Sequence, residues 1–367
     1  MELDELFIKK TIELAKLGRG HTRSNPLVGC VIVKDGKIIS QGYHEKFGEN
    51  HAERNAILNS KVSLEGSDLY VNLEPCSHFG KTPPCTDLII KSKIKRVVVG
   101  CLDSNEKVAG KGIQKLRDNG IEVRLGVLED QCRDLNKKFF YFIKNKRPYV
   151  VLKTATSLDG KIATFTGNSK WISSEASRRF AHSLRNDLDG ILVGINTIIK
   201  DDPSLNVRDI LNPSQPNRII VDSKLRIPLD SKLLKKDIGS KTYIYTSKNY
   251  DREVYKKLCR VENLEIVVTN SDKQVDLREM LKDLGSKNIS SILLEGGGNL
   301  NFSMLSEGLV NYGYFFLAPK IIGGRDALTS VEGQGFKNLE DSIRLKNIKI
   351  DRFDEDLCIR GEICLPE

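Results

Sequence analysis

His51, Cys76 and Cys85 are the residues whose types and spacing most plainly specify chemistry in this chain. They stand in H-A-E at 51–53 and in P-C-S-H-F-G-K-T-P-P-C at 75–85. An imidazole and two thiolates are three good ligands for zinc, and a catalytic zinc site uses three protein donors and leaves one position for water. Glu53 follows the histidine by two residues, close enough to carry protons yet free of the metal. His44 or His78 as a fourth ligand would instead close the site into a structural one. Glu53 speaks for catalysis, because a structural site needs no proton carrier.

The set also follows H-x-E…P-C-x-x-C, the pattern in which zinc nucleobase deaminases place His/Cys/Cys on the metal and a non-ligand glutamate beside it. The departure is the gap between the cysteines, which is eight residues here rather than two.

Apolar periodicity gives the elements that must position these residues. Apolar positions 7, 8, 12, 14, 15 and 17 predict a helix over 4–19, ending at Gly18 or Gly20. V-G-C-V-I-V at 28–33 and I-I-S-Q-G-Y at 38–43 predict a hairpin about Asp35-Gly36. His51 is expected to open a helix, HAERNAILNS, whose N-terminus points at the site. A strand at 68–73 leads to Glu74, Pro75 and Cys76, and Cys85 opens a helix over 85–92. A strand at 96–100, a helix at 110–120, a strand at 121–125 and one long helix at 129–143 complete an α/β sheet layered by helices. K-N-K-R-P at 144–148 is polar, charged and ends in proline, which predicts a boundary between domains 1–147 and 148–367.

Beyond it the pattern restarts. Strands at 149–155, 191–194, 217–222, 242–246, 264–268 and 291–295, with helices at 174–185 and 275–285, predict a second α/β region. E-G-G-G-N-L-N-F, from Glu295, follows a strand and starts a helix. Its glycines would let backbone approach a ligand, and a helix N-terminus attracts phosphate; a tight turn without a ligand is the plainer alternative. Polar sets in expected loops are S-L-D-G at 157–160, S-K-W at 169–171, N-T at 196–197, D-D-P-S-L-N-V-R at 201–208 and V-D-S-K-L-R at 221–226. Trp171 is the only tryptophan, a residue type more commonly found in a core.

Length predicts about two domains, and 39% apolar with 29% charged residues suits a globular chain. No apolar run reaches the length of a membrane span, and MELDELFIKK is unlike a signal peptide. Eight scattered cysteines fit a reducing compartment, so a cytoplasmic location is expected. The net charge of +9 is uneven, since residues 1–147 carry 26 basic against 19 acidic side chains and the remainder 32 against 30. A basic first half suits nucleic acid or a phosphorylated small molecule, with a solvated face as the plainer alternative.

Taken together, the motifs resemble one family over nearly the whole chain, the bifunctional riboflavin-biosynthesis deaminase/reductases. In the first half the resemblance rests on S-N-P-L-V-G-C-V-I-V at 24–33, G-Y-H at 42–44, H-A-E at 51–53 and L-E-P-C-S-H-F-G-K-T-P-P-C at 73–85. In the second it rests on K-T-A-T-S-L-D-G-K-I-A at 153–163, S-K-W-I-S at 169–173, L-R at 184–185, D-D-P-S-L-N-V-R at 201–208, R-I-I-V-D-S-K-L-R-I-P at 218–228 and L-E-G-G-G at 294–298. Ser24 and Thr156 depart from the family's pattern, in which proline and often methionine stand there.

The resemblance implies an α/β fold of two domains, cytidine-deaminase-like at the N-terminus and dihydrofolate-reductase-like at the C-terminus. It implies hydrolysis of the 2-amino group of a diamino-ribosylaminopyrimidinone phosphate, then reduction of the product's ribosyl group to ribityl by NADPH. It implies one zinc per chain on His51, Cys76 and Cys85, with Glu53 as the catalytic proton carrier. Asn25, His44, His78 and Lys81 would hold the first substrate. Ala155, Trp171, Thr197, Asp201, Ser223, Gly297, Gly298 and Asn299 would hold NADPH. Ser169, Arg185, Leu205, Arg208 and Glu295 would hold the second substrate, with Arg185 and Arg208 suited to its phosphate. Partners are expected to be small molecules and further copies of the chain, without nucleic acid or membrane. Two other readings compete: a nucleic-acid base deaminase with an appended nucleotide-binding domain, and a non-catalytic zinc-stabilised binding module. Activity on the free pyrimidine phosphate separates the first of these from the family reading, and an intact proton carrier at Glu53 argues against the second.

Overall fold

The computed structural model describes residues 3–79, 83–104, 109–235 and 239–366. The chain divides into two compact units, Met1–Lys146 and Arg147–Glu367.

The first unit runs α1 (Leu3–Lys16), β1 (Gly29–Lys34), β2 (Lys37–Tyr43), α2 (Ala52–Leu58), β3 (Asp68–Leu73), α3 (Cys85–Lys91), β4 (Arg96–Cys101), α4 (Lys111–Asp118), β5 (Glu122–Leu125), α5 (Glu129–Leu135) and α6 (Lys137–Asn145). Its five strands lie in the order β2-β1-β3-β4-β5. The β1–β2 hairpin and the β1–β3 pair are antiparallel, whereas β3, β4 and β5 are parallel. Fully buried Val31, Ile32, Leu69, Val71, Val97, Val98 and Val99 form the core with Ile8 of α1 and Leu116 of α4. A sheet with apolar residues on both faces must be covered by helices on both, which explains the near-continuous apolar runs in β1, β3 and β4. Gly42 of β2 lets α2 come close: a Cβ there would stand 2.5 Å from Ala56 N and 2.8 Å from Ala52 O. That approach brings the start of α2, with His51 and Glu53, over the sheet.

The expected long helix at 129–143 is two helices, because Asn136 leaves helical geometry at φ −106° and ψ 15°. Its side chain is committed to the backbone of Leu27, which it both donates to and accepts from. A side chain serving a distant loop has overridden local helical periodicity.

The second unit runs β6 (Tyr149–Ser157), α7 (Glu175–Asp187), β7 (Gly190–Gly194), α8 (Ile195–Asp201), β8 (Asn217–Val221), α9 (Lys232–Lys235), β9 (Thr242–Thr246), α10 (Arg252–Leu258), β10 (Leu264–Val268), α11 (Leu277–Ser286), β11 (Ser291–Leu294), α12 (Gly298–Ser306), β12 (Tyr312–Ala318), β13 (Arg344–Phe353) and β14 (Asp356–Cys364). The nine strands lie in the order β10-β9-β8-β7-β11-β6-β12-β14-β13. From β10 to β12 every pairing is parallel, and the β13–β14 hairpin closes the sheet antiparallel. Neighbouring residues of one strand serve opposite cores: Leu192 and Ile219 pack with Met280, Leu281 and Met304, while Ile191, Val193 and Ile220 pack with Ile198, Leu225 and Leu258. That alternation is the period of two expected of strands buried on both faces.

The six strands expected here are present. β12, β13, β14, α9 and α10 lie outside the expected elements. Asn196-Thr197, expected in a loop, lie in the first turn of α8. Trp171 is not in a core: it is 61% exposed, with the Arg178 guanidinium 4.6 Å from its ring centroid. All eight cysteines are free thiols. Among the described residues no helix is long and apolar enough to cross a membrane.

Candidate active sites

In the first unit three segment ends meet. His51 caps α2 in extended backbone, φ −72° and ψ 161°, so it precedes the helix it was expected to open. This matters because residues two apart within a helix point about 200° apart. Outside the helix, the His51 ring is free to turn toward the same site as Glu53. Cys76 follows β3 by three residues, and Cys85 is the first residue of α3. His51 Nδ1 lies 3.5 Å from Cys76 Sγ and 3.4 Å from Cys85 Sγ, and the Cys85 N–H donates to Cys76 Sγ at 3.3 Å.

The donor atoms of His51, Cys76 and Cys85 all lie within 4.8 Å of one another. Tetrahedral zinc, with bonds of about 2.0–2.3 Å, sets neighbouring donors about 3.5 Å apart. The residues therefore fit the ion in type and spacing, and three donors leave a position open. Among the described residues neither His44 nor His78 joins this group. His51 accordingly has a pKa raised first by its bond to Cys76, while the Cys76 thiol is pushed well down by hydrogen bonds from Cys85 and His51. Cys85 moves the opposite way, because its proton is shared with Cys76 and its surroundings are buried. Glu53 is 3% exposed, and burial pushes its carboxyl up to about 7. A carboxyl poised there both gives and takes protons near neutral pH.

Asn25 and His44 stand beside this group. Asn25 Nδ2 lies 3.0 Å from His44 Nε2, and His44 Nδ1 lies 2.9 Å from the Asn50 carbonyl. The carbonyl can only accept, so Nδ1 carries the hydrogen and Nε2 accepts from Asn25. Burial lowers the His44 pKa, and its ring meets that of His51 edge to face at 5.6 Å. His78 is exposed. Lys81 lies outside the described residues.

In the second unit five of the expected residues lie at one edge of the parallel sheet. Ala155 lies near the end of β6, Thr197 just after β7, Ser223 just after β8, and Glu295 with Gly297 just after β11. These four strands are consecutive in the sheet and parallel, so their carboxyl ends share one edge. That edge is where open α/β sheets bind ligands. Asp201 is exposed at the end of α8, and Ser169 is half-buried. Trp171 is fixed from behind: Lys320 Nζ donates to its carbonyl and to that of Ile172, each at 2.9 Å. The Ser223 hydroxyl accepts the Val275 N–H at 3.1 Å.

The E-G-G-G stretch is not a strained turn. Gly297 is extended, at φ −72° and ψ 166°, and a Cβ on it would meet nothing within 4 Å. A Cβ on Gly298 would stand 2.4 Å from Glu332 Cγ and 2.8 Å from Thr329 O. One glycine thus permits packing, and the other leaves open space at the start of α12. Asn299 Nδ2 donates to Glu332 Oε2 at 2.9 Å.

Glu295 is the electrostatic centre of this edge. Its Oε2 accepts from Arg185 Nη2 at 2.6 Å and Nε at 3.2 Å, and Lys153 Nζ lies 3.8 Å from Oε1. Burial works to raise this carboxyl, but Arg185 and then Lys153 outweigh it and hold it low. Arg185 also donates to the Asn206 carbonyl through Nη1. Three of its five N–H groups are engaged, leaving two for an anion. Leu205 is buried with φ +46°, and the Arg208 N–H reaches His182 Nδ1 at 3.3 Å. Burial, then Arg185 and Arg208, push the His182 pKa down to about 4. Lys153 and His182 are not among the residues expected at this site. A lysine inside the apolar run of β6 was the available signal for the first; nothing distinguished the second.

Residues 1–101 match the cytidine and deoxycytidylate deaminase zinc-binding region, and residues 148–359 match the RibD C-terminal domain. The chain is 44% identical over 361 residues to riboflavin biosynthesis protein RibD of Actinobacillus pleuropneumoniae, covering 98% of this chain and 95% of that protein. It is 35% identical to the protein of the same name from Escherichia coli K12, covering 97% and 98%. Among solved structures, Acinetobacter baumannii RibD superimposes with a TM-score of 0.87 at 34% identity over 99% of both chains. A diaminohydroxyphosphoribosylaminopyrimidine deaminase/5-amino-6-(5-phosphoribosylamino)uracil reductase from Thermotoga maritima gives 0.86 at 35%, again over 99% of both.

Proposed function

The chain belongs to the family of bifunctional riboflavin-biosynthesis deaminase/reductases, and from that membership we propose a substrate, a nucleotide and a role for each site residue. The chain is an enzyme of riboflavin biosynthesis, a zinc-binding deaminase of cytidine-deaminase-like fold joined to a reductase of dihydrofolate-reductase-like fold. It acts on a small molecule and uses zinc and a nicotinamide cofactor.

Residues 1–147 deaminate 2,5-diamino-6-ribosylamino-4(3H)-pyrimidinone 5′-phosphate, and residues 148–367 reduce the ribosyl group of the product with NADPH. His51, Cys76 and Cys85 hold one zinc per chain. When bound, zinc supplies a water whose pKa falls to about 7. Glu53 takes one proton from the attacking water and delivers it to the ring nitrogen, then takes the proton of the newly added hydroxyl and delivers it to the amino group, which leaves as ammonia as the C–N bond breaks. Asn25 and His44, already paired, orient the pyrimidine; His78 and Lys81 supply cationic donors for its phosphate.

In the second unit Ala155, Trp171, Thr197, Asp201, Ser223 and Gly297–Asn299 hold NADPH, which supplies the hydride. Ser169, Arg185, Leu205, Arg208 and Glu295 hold the substrate. The buried Glu295–Arg185 pair fixes the guanidinium so that its remaining N–H groups meet an anion in one orientation. The enzyme works in the cytoplasm as a homo-oligomer, away from nucleic acid and membrane. The nucleic-acid deaminase reading is not favoured, since the relatives match both halves of the chain.

The observation that carries the first activity is the convergence of His51, Cys76 and Cys85 beside a buried Glu53. The test is ammonia release from the diaminopyrimidine phosphate, followed by NADPH oxidation in the same vessel. Ammonia release without NADPH oxidation would remove the second assignment, and no ammonia release would remove the first.

A further inference from the structure

The geometry points to Glu74 as a positioning residue for Cys76, holding that sulfur in register for zinc through the start of α4. This rests on the proposed reading of Cys76 as a metal ligand. Glu74 follows β3 directly, and its N–H still pairs with the Cys101 carbonyl of β4 at 3.0 Å. Its side chain is 5% exposed. Among the described residues its carboxylate accepts from backbone N–H groups: Gly110 at 3.0 Å on Oε2 and Gly112 at 2.9 Å on Oε1, with Asp103 and Ile113 each farther off at 3.4 Å.

A carboxylate has acceptor capacity on both oxygens and is favoured at the unsatisfied amides of a helix start. The close fit is built into the sequence at Gly112, where a Cβ would stand 2.2 Å from the Pro75 carbonyl. The first turn of α4 therefore lies directly on the Glu74-Pro75 backbone. On the other side of Cys76, its carbonyl accepts the Thr86 N–H at 3.2 Å and its sulfur accepts the Cys85 N–H at 3.3 Å. A Lys115–Asp87 ion pair joins α4 to α3. The peptide 74–76 is thus gripped on one side by the start of α4 and on the other by the start of α3, which itself carries Cys85. Glu74 is not a member of the metal-donor group. It acts on the metal through the path of the chain.

The discriminating variant is Glu74→Gln, which keeps size and shape but turns one acceptor into a donor. That NH2 group would face a backbone N–H, donor against donor. Zinc affinity of the full-length protein is measured by competition with a chromophoric chelator, and ligand geometry by the visible absorption of the Co2+-substituted protein. Zinc affinity should fall about 10–100-fold, the usual effect of removing an outer partner of a metal ligand. The Co2+ band should shift, and NADPH oxidation by the second unit should be unchanged. Glu74→Asp keeps the charge but is one carbon short, and should fall between Gln and wild type. If Glu74→Gln does not fold, the Asp variant alone decides.

Native zinc affinity and an unshifted Co2+ spectrum in a folded variant would overturn the inference, even if unfolding of the metal-free protein came earlier, because that pattern marks a merely structural role. Cys76→Ser is the control. If it loses zinc while the Glu74 variants keep native affinity, only the present inference fails; if it keeps zinc, the ligand assignment fails as well.

Discussion

Asn136 grips the backbone of Leu27 from both sides, its Oδ1 accepting the Leu27 N–H at 2.8 Å and its Nδ2 donating to the Leu27 carbonyl at 2.9 Å. A second buried asparagine, Asn72, donates to the same carbonyl at 2.9 Å and accepts the Gly29 N–H at 2.8 Å. Between them they fix the segment that presents Asn25 to His44. Asn136→Ala should leave the Leu27 N–H without its acceptor and cost about 1–3 kcal/mol. Denaturant unfolding measures that cost. If the loop orients substrate, KM for deamination should rise more than kcat falls, with zinc content unchanged. A native KM would show that the clamp serves stability alone.

Zinc content should be about one ion per chain in the wild type and should be lost in Cys76→Ser and Cys85→Ser, because two-donor sites hold zinc poorly. Glu53→Gln should keep the metal and lower deamination about 10²–10⁴-fold, the range attributed to a positioned proton carrier. Metal analysis beside an ammonia assay checks both. Normal turnover by Glu53→Gln would remove this carboxyl from the reaction.

The two units have separate cores, Phe7 to Cys132 in one and Val150 to Val310 in the other, drawn from non-overlapping stretches of chain. Fragments 1–147 and 148–367 should therefore each fold and each keep one activity. Circular dichroism and the two single-step assays test this. A folded 148–367 fragment unable to reduce synthetic deaminated substrate would show that the reductase needs the first unit.

Much of this was legible because the candidate zinc ligands follow a spacing rule and because buried parallel strands write themselves as apolar runs. The strands at 68–73, 242–246 and 264–268 have the predicted bounds. The misses share physical causes. β13 is an edge strand whose residues are mostly exposed, and a register shift between Lys346 and Lys349 breaks its alternation. α8 is a short helix rich in β-branched Ile195, Thr197, Ile198 and Ile199, which reads poorly as helix. The break at Asn136 depends on a partner 109 residues away, which no local pattern reports. Lys153 carries its meaning only through Glu295, which follows the neighbouring strand β11.

Gly297 and Gly298 should respond oppositely to alanine. At Gly298 the new methyl would meet the Thr329 carbonyl at 2.8 Å, so the first turn of α12 must shift; overpacking of this kind costs about 1–3 kcal/mol. At Gly297 nothing lies within 4 Å and the backbone is ordinary, so stability should be native. If NADPH lies against Gly297, that methyl should raise KM for the nucleotide without lowering the unfolding midpoint. Unchanged nucleotide kinetics in Gly297→Ala would place the cofactor elsewhere.

The reductase should prefer NADPH to NADH, and Lys224 with Arg226 should set that preference. Both follow β8 at the carboxyl edge of the parallel strands, and both are exposed. Arg226 is held in place: its Nη2 donates to Asn196 Oδ1 at 3.2 Å, and its Nε lies 3.9 Å from Asp222 Oδ1. A carboxylate just past such a strand can hold the ribose hydroxyls of NADH, and Asp222 stands directly after β8. The structure turns it inward. Asp222 is fully buried and its Oδ2 accepts the Ile227 N–H at 2.9 Å, so its carboxylate is spent on folding the loop that carries the two cations. A 2′-phosphate beside Lys224 and Arg226 would gain charge-assisted bonds worth about 1.5–3 kcal/mol each. Lys224→Ala/Arg226→Ala should then lower kcat/KM for NADPH at least about tenfold, since about 1.4 kcal/mol is tenfold, and leave NADH nearly unchanged. Steady-state kinetics with both nucleotides, on wild type and variant, decide the matter. Equal losses for the two would place these side chains away from the phosphate, and equal wild-type efficiencies would end the preference itself.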